Sequence, residues 1–192
     1  MMRICFATNN QHKLEEVRQI LGDRFELISL KEAGFEGEIP ETHETLEENS
    51  REKAEYVFNQ IGIPIFSDDS GLEVEALDGK PGVHTAHYSG SRDAVSNMTQ
   101  VLQELGDSKN RKAQFRAVVT YIDKDRSEQF EGIVSGRLTH KIQGEGGFGY
   151  DPIFMPENHE KTFAELSDEV KNSISHRKRS VEKLANYLKS IF

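Results

Sequence analysis

One cysteine, Cys5, is all that the 192-residue chain contains, so an intramolecular disulfide framework and a cysteine-based zinc site are both excluded. It lies in the apolar run Ile4-Cys5-Phe6-Ala7 and reads as a small buried hydrophobe rather than a nucleophile. No stretch approaches the roughly 20 consecutive apolar residues of a membrane-spanning helix. Met1-Met2-Arg3 runs directly into a strand pattern, without the apolar core or cleavage site of a signal peptide. A soluble cytoplasmic protein with no membrane association is expected. Positive charge is in deficit too: 24 Lys and Arg against 33 Asp and Glu leave a formal net charge of −9. That argues against a general nucleic-acid surface, where phosphates demand clustered cations. A small phosphorylated ligand needs only a few local cations or a metal ion and stays compatible with this balance.

At roughly 100–200 residues per domain, residues 1–192 are expected to form a single domain. Chains of this length bury about 70% of their unfolded surface and need no covalent or metal staple. Apolar residues recur in periodic blocks that alternate between strand and helix patterns. Strands are expected at residues 3–7, 25–30, 64–66 and 72–76, with a turn over 67–71. Helices are expected at 11–21, 45–61, 92–105, 167–174 and 177–191, the third with Val95, Met98, Val101, Leu102 and Leu105 as its core face. Residues 113–122 and 127–134 flank a polar Asp-Lys-Asp-Arg and read as a hairpin. A hairpin interrupting the alternation implies an α/β chain with a mixed sheet.

Five short constellations carry the chemistry. Thr8-Asn9-Asn10-Gln11-His12-Lys13 opens a helix, where unpaired N–H groups favour an anion. Lys13 in that first turn opposes the macrodipole, which a partner anion would explain. Ser67-Asp68-Asp69-Ser70-Gly71 places two carboxylates side by side, a natural ligand pair for Mg2+ with its hard oxygen shell; an Asx-turn is the bland alternative. Residues 36–55 hold eight glutamates, most of them readable as a solvated helix face. Within that run Glu41 follows Pro40 ahead of the helix and could reach a metal, while Asn49 and Lys53 share one helix side at i and i+4. Gly144-Glu145-Gly146-Gly147-Phe148-Gly149-Tyr150-Asp151 permits close backbone approach to a ligand. Phe148 between glycines suits stacking on a planar base better than core packing. Finally, Ser175-His176-Arg177 joins two helices in a locally basic end, residues 170–192 carrying six Lys and Arg against Glu182.

As an ordered set, Thr8-x-Asn10-x-x-Lys13, Glu48-Asn49-x-x-x-Lys53-Ala54, Asp68-Asp69-Ser70-Gly71-Leu72, Gly147-Phe148-Gly149-Tyr150-Asp151-Pro152 and Ser175-His176-Arg177 closely resemble the inosine triphosphate pyrophosphatase family. The resemblance runs from about residue 3 to residue 188. It implies an elongated mixed sheet flanked by helices, two lobes around a central nucleotide-binding cleft, and a homodimer. It also implies Mg2+-dependent hydrolysis of the non-canonical purine nucleotides dITP, ITP and XTP or dXTP to the monophosphate and pyrophosphate, which cleanses the nucleotide pool. Residue by residue, Thr8, Asn9, Asn10, Gln11, His12 and Lys13 would cradle the triphosphate, with Lys53 and Ser70 assisting. Asp69 would be the general base and, with Asp68 and Glu41, would hold Mg2+. Phe148 would stack on the base, and Gly149, Tyr150, Asp151, Lys171, His176 and Arg177 would complete the nucleotide pocket. Donors from the His176-Arg177 region would accept a 6-oxo purine and reject adenine. Asn9 and Ser50 stand where the family commonly has glycine and alanine. A non-catalytic nucleotide-binding sensor is the competing reading.

Overall fold

The protein is described by a computed structural model that covers residues 2–192, with the side chains of His12 and Asp23 outside the described residues. Strands β1 (Met2–Phe6), β2 (Phe25–Ile28), β3 (Ile65–Val74), β4 (Lys112–Ile122), β5 (Ser127–Leu138) and β6 (Phe154–Pro156) occur with helices α1 (Gln11–Leu21), α2 (Leu46–Ile61), α3 (Ala94–Leu105), α4 (Asp168–Ile174) and α5 (His176–Ile191). Pairing follows the order β2-β1-β3-β4-β5-β6. It is parallel between β1 and both β2 and β3 and antiparallel between β5 and β6, so the sheet is mixed and the α/β class stands. The chain divides into two compact units, the first of Met1–Asp69, Ala117–Gly132 and Arg177–Phe192, the second of Ser70–Arg116 and Ile133–His176.

In the first unit, the two-residue period of β1 splits its side chains between two cores. Ile4 and Phe6 pack with Leu14 and Val17 of α1 and Leu184 and Leu188 of α5. Cys5 and Ala7 pack with Ala54 and Val57 of α2. Burial, with Glu32 adding to it, pushes the Cys5 thiol up to about 12, consistent with a packing residue. Helix α2 begins as its sequence asks. Thr45 Oγ1 accepts the Glu48 N–H at 3.2 Å and donates to Glu48 Oε2 at 2.8 Å, a reciprocal cap. Gly62 ends the helix at φ +66 and returns its N–H to Phe58 O.

The second unit is built on Leu72, Val74, Phe115, Leu138, Phe154 and Phe163 packed against Met98, Val101 and Leu105 of α3. Val95, expected on that face, is 56% exposed instead; it is the second residue of α3, in the first turn, outside this core.

The expected turn over 67–71 is absent, because β3 runs unbroken from Ile65 to Val74. Its place in the sheet, beside β4, outweighs the local turn preference of Ser, Asp and Gly. Gly71 has a different role from turn formation. A Cβ there would lie 2.2 Å from Gly82 O, a backbone atom that cannot swing aside. Gly71→Ala is expected to cost about 1–3 kcal/mol through overpacking, read as a lower denaturant midpoint.

Candidate active site

Within the first unit, the segment leading into α1 folds onto itself before it can meet a ligand. Thr8 Oγ1 accepts the Asn10 N–H at 3.1 Å, and Asn10 Oδ1 accepts the Lys13 N–H at 3.3 Å, so Asn10 caps the helix. Asn9, Asn10 and Gln11 are exposed. His12, expected in the phosphate cradle, has a side chain outside the described residues. Lys13 finds the anion that its place in the first turn calls for: its Nζ donates to Asp68 Oδ1 at 2.9 Å.

Asp68 is clamped from a second side. Arg177 Nε lies 3.3 Å from Asp68 Oδ2, and Arg177 Nη1 lies 2.9 Å from Glu16 Oε2. The side chains of Asp68 and Arg177 are only 2% and 4% exposed. Burial would raise Asp68, yet Lys13, Arg177 and Lys53 overcome it and hold the carboxyl far below the usual range. Burial likewise opposes the charge of Arg177, but Asp68 and Glu16 outweigh it. Arg177 thus bonds two carboxylates of its own chain.

Asp69 follows Asp68 on β3, so its side chain takes the other face of the strand. There Lys53 Nζ donates to Asp69 Oδ1 at 3.1 Å and to Glu41 Oε1 at 2.6 Å. Burial raises Asp69 above the usual carboxylate range against the opposing pull of Lys53. Burial would lower Lys53, but Asp69, Asp68 and Glu41 outweigh it and keep the ammonium charged. The loop bearing Glu41 is fastened to α2. Asn49 accepts the His43 N–H at 2.9 Å and donates to His43 O at 3.0 Å, while Glu52 accepts from Thr42 N and Oγ1. Thus Glu52 of the acidic run is a clamp rather than solvated charge.

Among the described residues, no three His, Cys, Asp or Glu side chains are grouped to hold a metal. That pattern still fits Mg2+, which is commonly held by one or two carboxylates with waters and substrate phosphates in the other positions. Asp69 and Glu41 supply such a pair, already bridged by the cationic Lys53. Asp68 has both oxygens engaged by Lys13 and Arg177.

The second unit holds the remaining expected residues. Phe148 is 58% exposed, and Lys171 Nζ lies 4.5 Å from its ring centroid. The same ammonium is 2.5 Å from Asp151 Oδ2, which also accepts the Phe148 N–H at 2.8 Å. Gly147, at φ +72, makes room for this arrangement, since a Cβ there would sit 2.2 Å from Asp151 Oδ2. Gly149 also has positive φ. Tyr150 is buried and donates its hydroxyl to Thr85 O at 2.8 Å. His176 stacks on Phe115 with centroids 5.0 Å apart. Ser70 follows Asp69 on β3 and is half-buried.

Sequence reasoning missed Glu16 and the hydroxyl group set behind β3. Glu16 lies three residues after Lys13 on one helix side, a spacing that could have flagged it. Ser50 Oγ lies 2.8 Å from Thr120 Oγ1 and 3.2 Å from Ser67 Oγ, joining α2 to β3 and β4. No local pattern announces that set.

The Ham1 family model matches residues 4–187. A protein of Porphyromonas gingivalis named dITP/XTP pyrophosphatase is 47% identical over 190 residues, covering 98% of this chain and 98% of its own. Among solved structures, the Ham1 protein of Staphylococcus aureus is 37% identical, with a TM-score of 0.92 over 99% of this chain and all of its own. A HAM1 protein from Coxiella burnetii is 34% identical, with a TM-score of 0.93 and the same coverage.

Proposed function

The chain belongs to the Ham1 family, and from that premise we propose that it hydrolyses the non-canonical purine nucleotides dITP, ITP and XTP or dXTP to the monophosphate and pyrophosphate. The observation that carries this reading is the part-buried Asp69 carboxylate, 15% exposed and bonded to the Lys53 ammonium at 3.1 Å, with burial favouring a raised proton affinity. A base with that environment retains affinity for a proton while being held in one orientation. Asp69 takes the proton of a water attacking the α-phosphorus. As the new P–O bond forms, the bond to the bridging oxygen breaks and pyrophosphate leaves. Lys53 orients Asp69, and Glu41 holds Lys53 from the other side.

Mg2+ would be held by Asp69 and Glu41, with Asp68 adjacent; when bound, it neutralises charge on the phosphates and the leaving group. The helix start at Thr8, Asn9, Asn10, Gln11, His12 and Lys13 takes triphosphate oxygens through its N–H groups and the Lys13 charge. Ser70 adds a hydroxyl beside the base. In the second unit, Phe148 stacks on the purine, with Gly149, Tyr150, Asp151 and Lys171 shaping and charging its surroundings. The His176-Arg177 segment selects the 6-oxo group, Arg177 doing so while it fixes Asp68. The protein acts as a cytoplasmic homodimer that cleanses the nucleotide pool, in line with the family resemblance.

The test is pyrophosphate release from dITP, XTP, dATP and dGTP, each with Mg2+ and with EDTA. Metal-dependent release from dITP and XTP alone is expected. Equal release from all four would remove the base-selection reading, and binding of dITP without release would replace the enzyme with a nucleotide sensor.

A further inference from the structure

Within the second unit, the loop after α3 carries Lys109, Asn110 and Arg111 into Lys112 at the start of β4, and β5 contributes Arg137. With Glu75 these residues line a recess of about 440 Å³. Four of the six are cationic, which reverses the balance of a chain whose net charge is −9. Arg111 is only 8% exposed, and each nitrogen of its guanidinium donates one bond to backbone. Nε donates to Leu138 O at 2.9 Å, Nη1 to Gly106 O at 3.1 Å and Nη2 to Thr139 O at 2.6 Å. It therefore forms a rigid, positively charged wall.

The other cations have little to neutralise them. Among the described residues, no carboxylate lies within ion-pair distance of Lys109, Arg111 or Arg137, and Arg137 donates only to Met155 Sδ at 3.4 Å. Lys112 reaches Glu75 at 4.0 Å, and that carboxylate also accepts from Asn110 Nδ2 at 3.1 Å. Burial lowers the Arg111 pKa, with Asp107 opposing at longer range. Mutual repulsion of clustered cations is relieved most by a polyanion that several of them can bond at once.

We propose that this recess, lined by Lys109, Lys112 and Arg137 over the buried Arg111 guanidinium, binds a small condensed-phosphate anion of the pyrophosphate class. The recess is open to solvent and roomier than a single monovalent ion requires. The fork of Arg137 matches phosphate oxygens in pairs, and the two lysines add mobile point charges. None of these groups belongs to the residues proposed for catalysis, so the site stands apart from the hydrolase reading.

Inorganic pyrophosphate is titrated, without metal, into the isotopically labelled protein while backbone amide resonances are followed. Saturable shifts are expected at residues 109–112 and 137–139, beyond any caused by sodium chloride at matched ionic strength. In the K109Q/R137Q double variant, affinity read at those amides should fall by at least about tenfold, since two charge-assisted contacts are lost. Shifts at residues 8–13 should persist unchanged in that variant; they report the phosphate cradle separately. The proposal is overturned by wild-type amides at 109–112 that do not saturate, by shifts that sodium chloride reproduces, or by undiminished shifts in the double variant. Saturation by a hexaglutamate peptide but not by pyrophosphate would overturn it equally, assigning the recess to an acidic protein segment.

Discussion

Asp69→Asn is expected to lower turnover of dITP by about 10²–10⁴-fold, the usual contribution of a well-placed general base. The substitution keeps the shape of the side chain and an oxygen that can accept from Lys53, which lies 3.1 Å away in the wild type. Lys53 also retains Glu41 at 2.6 Å, so no buried ammonium is left unpaired. The melting temperature should therefore stay near that of the wild type while activity collapses. Steady-state pyrophosphate release and a thermal melt on one preparation decide the matter. A folded Asp69→Asn protein within about tenfold of wild-type turnover would take Asp69 out of the base role, because the loss would lie below the range a general base supplies.

The second large effect is on stability. Arg177→Met removes the guanidinium that joins Asp68 to Glu16 in a setting where Asp68 and Arg177 are 2% and 4% exposed. Breaking a buried ion pair from one side costs about 3–5 kcal/mol, because the remaining charge stays desolvated. For a chain of this length, that corresponds to a fall in melting temperature of about 6–20 °C. Lys13 still holds Asp68 at 2.9 Å, which places the expectation toward the smaller end. A change below about 1 kcal/mol would reduce the cluster to the level of a surface ion pair.

Acidification gives an independent check with a defined sign. Asp68 is held far below its ordinary range in the folded protein. Between that depressed value and the unfolded value near about 3.9, the unfolded chain binds more protons. Its stabilising contribution is thus complete above about pH 4 and is lost as pH falls further. Urea midpoints measured from neutral pH downward should drop more steeply below about pH 4 in the wild type than in Arg177→Met, where Asp68 is less depressed. Parallel curves would show that Arg177 does not set the Asp68 charge.

Much of this was legible from local pattern. The thiol of Cys5, the cap and glycine stop of α2, and the hairpin of β4 and β5 all follow from neighbours a few residues apart. So does the exposure of Phe148 between glycines, since nothing in that segment offers it a core. Misreadings arose where tertiary pairing overrode local preference. Ser67 to Gly71 has the composition of a turn, yet it continues β3, which neighbours β4 in the sheet, and it extends. Val95 fits the apolar spacing of α3, but the core ends before reaching it.

By itself the sequence determined the α/β class, the order of its helices, the exclusion of an intramolecular disulfide, and the ordered residue types that place the chain in its family. Only the tertiary structure decided which charge meets which. Lys13 and Asp68 are 55 residues apart, Arg177 and Asp68 are 109 apart, and Arg177 and Glu16 are 161 apart. Two adjacent aspartates that look like one ligand pair are sent to opposite faces of β3, one into a buried clamp and one to Lys53 and Glu41. The physical reason is that strand alternation and burial act on neighbours in space. A carboxylate's charge, partner and proton affinity follow from the groups folded against it, whatever their distance along the chain.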